Sequence, residues 1–130
     1  MAYLLDTNVA ILLRDGDPVV AARLATLDDA ILLSVITRVE LEGGVYREAA
    51  DIPARRARLD AVLAAIPVLA FDDAAADAYA AIVRTAGYSR RKLLDRMIAA
   101  HALVHRATLV TMNPDDFRDV PGLQLESWHA

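Results

Sequence analysis

The sequence contains no cysteine. That absence excludes a disulfide framework, catalysis by a thiol, and zinc or iron–sulfur sites built from cysteine ligands. Any bound metal must therefore be held by oxygen atoms or by imidazole. His101 and His105 are four residues apart, a spacing that can hold zinc, but no glutamate follows His101 as the metalloprotease motif requires. Since His129 is remote in sequence, we predict that no histidine is a metal ligand.

Long apolar runs and an excess of basic residues are also missing. No apolar stretch approaches the roughly 20 residues that span a bilayer, and the amino terminus has no basic region followed by an apolar one. We therefore expect a cytoplasmic protein that does not contact a membrane. The net charge of −4, from 14 basic and 18 acidic residues, is not typical of a protein that coats nucleic acid. A nucleic-acid enzyme remains compatible with this charge if its acids hold a metal.

Short apolar runs alternate with amphipathic stretches along the 130 residues, and no repeat or linker divides them. The apolar runs predict buried strands at residues 2–5, 30–34, 68–71, 108–111 and 123–127. Capping residues and apolar periodicity predict helices over residues 7–13, 18–27, 37–47, 53–66, 73–85 and 95–105. Such alternation predicts a single α/β domain, residues 1–130, with helices on both faces of a parallel sheet of four to five strands.

Asp6 directly follows the first predicted strand and is followed by Thr7 and Asn8. In open α/β sheets, ligands bind in the crevice outside the carboxyl ends of the strands, so Asp6 lies where chemistry is usually done. Taken alone, Asp6 has a simpler interpretation as the cap of the next helix, because Asp, Thr and Asn are all good caps. Acids at similar places further along the chain favour a shared site.

Glu40 and Asp95 are two such acids. Thr37 and Glu40 have the spacing of a capping box, so Thr37 or Ser34 is expected to cap a helix and Glu40 to face the crevice from its first turn. Asp95 stands at the start of a predicted helix, where the helix dipole alone would favour it. Its apolar neighbours place it near the core, however, where an ionised carboxylate needs a partner.

A further acidic loop, residues 113–116, follows the fourth predicted strand. Four carboxylates meeting at one end of a sheet repel each other, at about 4 kcal/mol per pair 4 Å apart for an effective dielectric near 20. A hard cation relieves that repulsion, and oxygen ligands suit Mg²⁺ or Mn²⁺. The expected reaction is metal-assisted hydrolysis of a phosphodiester. Thr7, Asn8, Thr111 and Asn113 are expected to orient the acids. Helix capping explains Asp72 and Asp73 more simply, and they are left out of the site.

Four blocks of this sequence resemble, in order and spacing, the PIN-domain nucleases. The blocks are Leu5-Asp6-Thr7-Asn8, Ser34-x-x-Thr37-x-x-Glu40-Leu41, Asp95-Arg96-Met97-Ile98-Ala99-Ala100-His101-Ala102 and Val110-Thr111-Met112-Asn113-Pro114-Asp115-Asp116-Phe117. The resemblance covers residues 3–128, and the length and Trp128 are most similar to the VapC-type toxins of bacterial toxin-antitoxin pairs. It implies a Rossmann-like PIN fold and a Mg²⁺-dependent endoribonuclease that cuts tRNA or ribosomal RNA and is inhibited by a cognate antitoxin.

The resemblance also assigns roles to residues. It makes Asp6 and Asp95 the primary metal ligands, with Glu40 and Asp116 completing the catalytic acids. Asp115 is the alternative fourth acid, but Asp116 directly precedes Phe117, as the family pattern favours. Ser34 and Thr37 join the polar residues that orient the acids.

Three further expectations concern partners. Arg90, Arg91 and Lys92 are predicted to contact RNA phosphate, with a solvated surface as the alternative. Arg55, Arg56 and Arg58 lie on the charged face of a predicted helix, where solvation is the usual fate and an RNA or partner contact the alternative. Proteins of this resemblance commonly form homodimers. The competing functional hypothesis is a catalytically silent PIN-like module that binds a partner protein through its acidic crevice.

Overall fold

The computed structural model describes residues 1–128. His129 therefore lies outside the described residues, and so does the expectation made for it. No helix in the described part of the chain is long and apolar enough to cross a bilayer.

The centre of the molecule is a five-stranded parallel sheet with the order β3-β2-β1-β4-β5. Its strands are β1 (Ala2–Leu5), β2 (Ala30–Ser34), β3 (Val68–Leu69), β4 (Ala107–Thr111) and β5 (Leu125–Ser127). The predicted fold class is confirmed. β3 and β5 are shorter than predicted, because they lie at the sheet edges and hydrogen-bond on one side only.

Within residues 1–128, six helices cover the sheet. They are α1 (Thr7–Arg14), α2 (Pro18–Ala25), α3 (Val35–Tyr46), α4 (Ile52–Ala65), α5 (Asp73–Ala86) and α6 (Leu93–His105), and a short 3-10 helix spans Pro114–Phe117. Asp17 and Asp72 cap α2 and α5 through side-chain oxygens, and Gly87, with φ of 86°, ends α5.

The prediction that α3 starts at Thr37 is wrong. Ser34 caps this helix, its hydroxyl accepting a hydrogen bond from the Ile36 amide at 3.0 Å, so the helix begins directly after β2 at Val35. Thr37 is buried inside the first turn, and Glu40 lies in the second turn rather than the first. Serine and threonine have similar capping preferences, and the short β2–α3 connection decides between the two candidates.

Two apolar clusters lie on opposite faces of the sheet, and β1 contributes to both. Leu5 belongs to a cluster that includes Leu33, Leu41 and Leu59, whereas Leu4 belongs to one that includes Phe117. Successive residues of a strand point to opposite faces, and each buried leucine stabilises the fold by about 1.5–3 kcal/mol. The buried β1 therefore fixes the position of its next residue, Asp6.

Candidate active site

Asp6 lies at the carboxyl end of the central strand with its side chain almost fully buried at 5% exposure. One carboxylate oxygen accepts from the Thr7 amide, and the other accepts from the Thr111 hydroxyl, each at 2.8 Å. Burial raises the pKa of Asp6, the hydrogen bonds from Thr111 and Thr7 oppose that rise, and the charges of Glu40 and Asp116 add to it. Asp6 also caps α1, so the capping interpretation of this residue is confirmed, and capping leaves its second carboxylate oxygen bonded to Thr111.

Thr7 joins Asp6 to the acid on α3. Its hydroxyl donates to Glu40 Oε1 at 2.7 Å and lies 3.1 Å from the Thr37 hydroxyl. Because a hydroxyl has only one hydrogen to donate, the geometry gives a chain in which Thr37 donates to Thr7 and Thr7 donates to Glu40. This chain holds the carboxylate of Glu40 above the end of β1.

Asp95 is half-buried in the first turn of α6. Burial, followed by the negative charges of Asp6, Asp116 and Glu40, raises the pKa of Asp95 to about 6, while Lys92 opposes the shift. The other three acids are therefore close enough to Asp95 to affect its ionisation. The four carboxylates influence one another electrostatically and line one cavity.

Asp116, and not Asp115, lies together with the other three acids. Asp116 lines the same cavity as the other three, whereas Asp115 points to solvent and forms an ion pair with Arg118 at 2.6 Å. The cavity has a volume of about 530 Å³. Its lining comprises Asp6, Thr7, Asn8, Ile11, Arg14, Glu40, Gly44, Arg47, Glu48, Arg55, Asp95 and Asp116.

The polar residues expected to orient the acids differ in what they contact. Thr7, Thr37 and Thr111 are hydrogen-bonded into the acid cluster as described, and Thr111 also accepts from the backbone amide of Asn113 at 3.0 Å. Asn113 therefore acts through its backbone on Thr111, while Asn8 is an exposed residue of the cavity lining.

Ser34 was predicted to orient the acids, but the structure gives it other contacts. Its hydroxyl binds the Ile36 amide and His101 Nδ1, at 3.0 and 2.9 Å, instead of any of the four acids. His101 Nε2 lies 3.0 Å from the Ala70 carbonyl, which can only accept, so Nε2 carries the proton and Nδ1 accepts from Ser34. Burial lowers the pKa of His101 and keeps the ring neutral. With both ring nitrogens in use, His101 links β2 and α3 to α6.

The structure also places Lys92 differently from its neighbours Arg90 and Arg91. Lys92 Nζ donates to Asp119 at 3.0 Å, and the buried Arg96 donates to the same carboxylate oxygen at 2.9 Å. Arg90 and Arg91 are exposed. Of the three predicted RNA contacts, Lys92 is thus partly committed to holding α6 against the segment after β4.

Arg14 and Arg47 also line the cavity and were not predicted from the sequence, whereas Arg55 was expected on a solvated face. A helical spacing was the available signal: Arg14 follows Thr7 by seven residues, and Arg47 follows Glu40 by seven. Residues seven apart lie on one face of a helix, so each arginine lines the same cavity as the site residue before it.

The acids of the cavity suit a hard cation. They offer carboxylate oxygens, which repel each other, and Mg²⁺ typically binds through one or two carboxylates while keeping several waters. Within residues 1–128, no three acidic or histidine side chains already form a close ligand cluster. A hydrated ion held by Asp6 and Asp95 needs no such cluster.

Comparison with known proteins agrees with this arrangement. The PIN domain family matches residues 3–123. Ribonuclease VapC2 of Rickettsia felis is 30% identical over 134 residues, and the tRNA(fMet)-specific endonuclease VapC of Shigella flexneri is 31% identical over 132 residues. Each alignment covers 98% of this chain and 98% of the relative.

Solved structures give the same result for the fold. The crystal structure of VapBC2 from Rickettsia felis bound to a promoter DNA fragment matches with a TM-score of 0.86 and 27% identity, covering 98% of this chain and 99% of that one. FitAcB from Neisseria gonorrhoeae matches with a TM-score of 0.82 and 30% identity, with the same coverage. These matches, together with the parallel sheet and the acidic cavity, show that the chain belongs to the PIN-domain family, among the VapC-type members.

Proposed function

We propose that this protein is a Mg²⁺-dependent endoribonuclease and the toxic component of a type II toxin-antitoxin pair. The observation that carries the proposal is the electrostatic coupling of Asp6, Glu40, Asp95 and Asp116 in one cavity at the carboxyl end of β1. Its relatives named ribonucleases support the RNA substrate, and the alternative of a silent interaction module finds no comparable support.

Asp6 and Asp95 would hold the ion, with Glu40 and Asp116 as further acids. Mg²⁺, or Mn²⁺ with similar ligand preferences, supplies a Lewis acid that polarises a phosphoryl oxygen and lowers the pKa of an attacking water. The protein's own part is to hold the acids in place. Thr111 and the Thr7 amide fix both oxygens of Asp6, and the Thr7 hydroxyl fixes Glu40.

The partners follow from the relatives. The tRNA(fMet)-specific relative supports tRNA as a substrate class, with ribosomal RNA as the second candidate from the resemblance. Matched structures include toxin-antitoxin complexes, such as VapBC from Salmonella typhimurium bound to DNA, and they support a cognate antitoxin that inhibits this chain. We also propose a homodimer, in line with the family, and a cytoplasmic location.

Cleavage of total cellular RNA by the purified protein, with and without Mg²⁺, tests the proposal. Asp6→Asn and Asp95→Asn should each abolish Mg²⁺-dependent cleavage while remaining folded. Asp115→Asn is the matched control, because Asp115 pairs with Arg118 outside the cavity. Folded Asp6→Asn and Asp95→Asn proteins that cut RNA as fast as the parent would remove the enzyme function and leave the interaction module.

A further inference from the structure

We infer that Arg14 binds an RNA phosphate next to the scissile one, at the end of the cavity opposite the acids. The inference rests on the proposed function, because it assigns a substrate contact within the same cavity.

The cavity lies between one face of α1 and one face of α3. From α1 it is lined by Thr7, Ile11 and Arg14, and from α3 by Glu40 and Gly44. Thr7 contacts Glu40, and one to two turns further along, Arg14 Nη1 occupies the space beside Gly44 that a Cβ would approach. With a rise of 1.5 Å per residue, Arg14 lies about 10 Å along α1 from Thr7. The acids therefore occupy one end of the cavity and Arg14 the other.

The guanidinium of Arg14 is nearly buried but incompletely bonded. Its side chain is 9% exposed, and Nε pairs with Asp15 Oδ1 at 3.1 Å. Within residues 1–128, neither terminal nitrogen forms a hydrogen bond. Its terminal nitrogens face the cavity, and charged N–H donors with no protein acceptor among the described residues can bind an anion. Two parallel N–H donors match the oxygens of a phosphate.

Gly44 leaves room for this guanidinium. A Cβ added at position 44 would lie 3.0 Å from Arg14 Nη1, whereas a Cβ at Gly43 would meet nothing within 4 Å. Glycine weakens a helix relative to alanine. At position 44, this helix-weakening glycine lies beside the terminal nitrogens of Arg14, where they reach the cavity.

Cations outnumber acids around Arg14, whose own ion-pair partner is Asp15. Arg47 is exposed in the same lining. Arg55 donates to the backbone carbonyls of Val45 and Glu48, and no carboxylate within residues 1–128 pairs with Arg55. Glu48 is the acid that lines this end. Because Arg14 lies roughly 10 Å along α1 from Thr7, at the end of the cavity away from the acids, it meets a flanking phosphate rather than the scissile one.

Affinity for a short, fluorescent, single-stranded RNA of mixed sequence tests the inference, measured in chelator over a range of salt concentrations. Arg14→Gln should weaken binding about tenfold and reduce the salt slope by about 0.7, because one phosphate is no longer neutralised. Arg14→Lys should recover part of the affinity because it keeps the charge but not the planar donor pair. Arg84→Gln, an equal charge change on the exposed face of α5, should change affinity much less.

Gly44→Ala separates binding from folding. It should leave the melting temperature unchanged or higher, because alanine favours the helix, and yet weaken RNA binding by displacing Arg14. In an Arg14→Gln background it should have no further effect on affinity, since both changes act on one interaction with RNA.

The outcomes distinguish this inference from the proposed function. If Arg14→Gln binds RNA as tightly as a parent that cuts RNA, the inference fails and the function stands. If Arg14→Gln binds more weakly but the parent does not cut, the inference stands and the function fails. A parent that binds no RNA overturns both. Equal weakening in Arg84→Gln overturns the specific role of Arg14.

Discussion

Burial and neighbouring acids oppose the ionised form of individual carboxyl groups in this cavity. Asp6 is buried and Asp95 is half-buried, and each sits beside other acids, so the pKa of both carboxyls is raised. The metal-free protein is thus destabilised by its own site, which is common where function requires charge in a confined place.

Asp95→Asn should stabilise the protein in chelator, by on the order of 1–2 kcal/mol, because it removes a carboxylate repelled by three others. The measurement is thermal unfolding. Asp115→Asn is the control, since Asp115 is exposed and paired with Arg118, and it should change the melting temperature little. An Asp95→Asn protein that melts at or below the parent temperature would contradict the crowded acidic site.

The difference in stability between Asp95→Asn and the parent should change with pH in one direction. The pKa of Asp95 is raised from 3.8 to about 6, so on acidification below pH 6 the folded parent takes up a proton that the unfolded chain does not. Stability from this group therefore rises as pH falls, and the advantage of Asp95→Asn should shrink between about pH 8 and pH 5 in thermal unfolding. His101, with its lowered pKa, acts oppositely as pH falls through 6.5, but it does so in both proteins, so its contribution cancels in the difference.

Thr111→Val should destabilise the protein by about 1–3 kcal/mol, because it leaves a buried oxygen of Asp6 without its donor. The change should also raise the pKa of Asp6 and weaken Mg²⁺ binding in a titration. Thr108→Val, on the same strand with only a 3.4 Å contact to Gln124, is the matched control. Equal melting temperatures for the two valine variants would argue against this role of Thr111.

At the scale of elements, the site depends on how α3 and α6 join the sheet. Ser34 caps α3 and binds His101 of α6, so one hydroxyl sets the start of one helix and its spacing from another. At the other end of α6, Arg96 and Lys92 share the carboxylate of Asp119, beyond Asp116. These contacts fix the elements that carry Glu40, Asp95 and Asp116 relative to each other.

Ser34→Ala should cost about 0.5–2 kcal/mol because the cap is removed, and more if His101 is left without its donor. It should also reduce RNA cleavage, because α3 carries Glu40. Asp17→Ala removes the comparable cap of α2, which carries no site residue, and should lower stability without a similar decrease in activity. Parallel effects of the two variants on cleavage, at matched stability, would count against the positioning role of Ser34.

For the whole molecule, charge distribution matters more than net charge. The chain is acidic overall at −4, yet cations line one end of the cavity that holds the four acids and form the exposed pair Arg90 and Arg91 before α6. RNA is expected to approach through these cations and to reach the acids only with a divalent ion present.

Replacing Arg90 and Arg91 together by Gln should weaken RNA binding and lower its salt slope, by about 0.7 for each phosphate of a single strand that is no longer neutralised. The same measurement with Arg84→Gln gives the effect of a remote charge. An unchanged slope in the double variant would show that these residues are solvated surface, the alternative interpretation of this cluster.

Much of the fold followed from local pattern. The bounds of β1 and β2, the parallel alternation with helices and the family are confirmed, because apolar runs and turn residues act over a few neighbours. Two predictions were wrong. Ser34 rather than Thr37 caps α3, which local pattern could not decide because the two residues are equivalent as caps. The edge strands β3 and β5 are shorter than their apolar runs.

The sequence by itself determined that acids follow the strands and that only oxygen or imidazole could bind a metal. Only the tertiary structure decided which side chains meet. It paired Asp115 with Arg118, engaged Lys92 with Asp119, assigned Ser34 to His101 and brought Arg14 to the cavity. The physical reason is that strand ends are specified by short-range burial, whereas hydrogen-bond and ion-pair partners depend on distances between elements far apart in the chain.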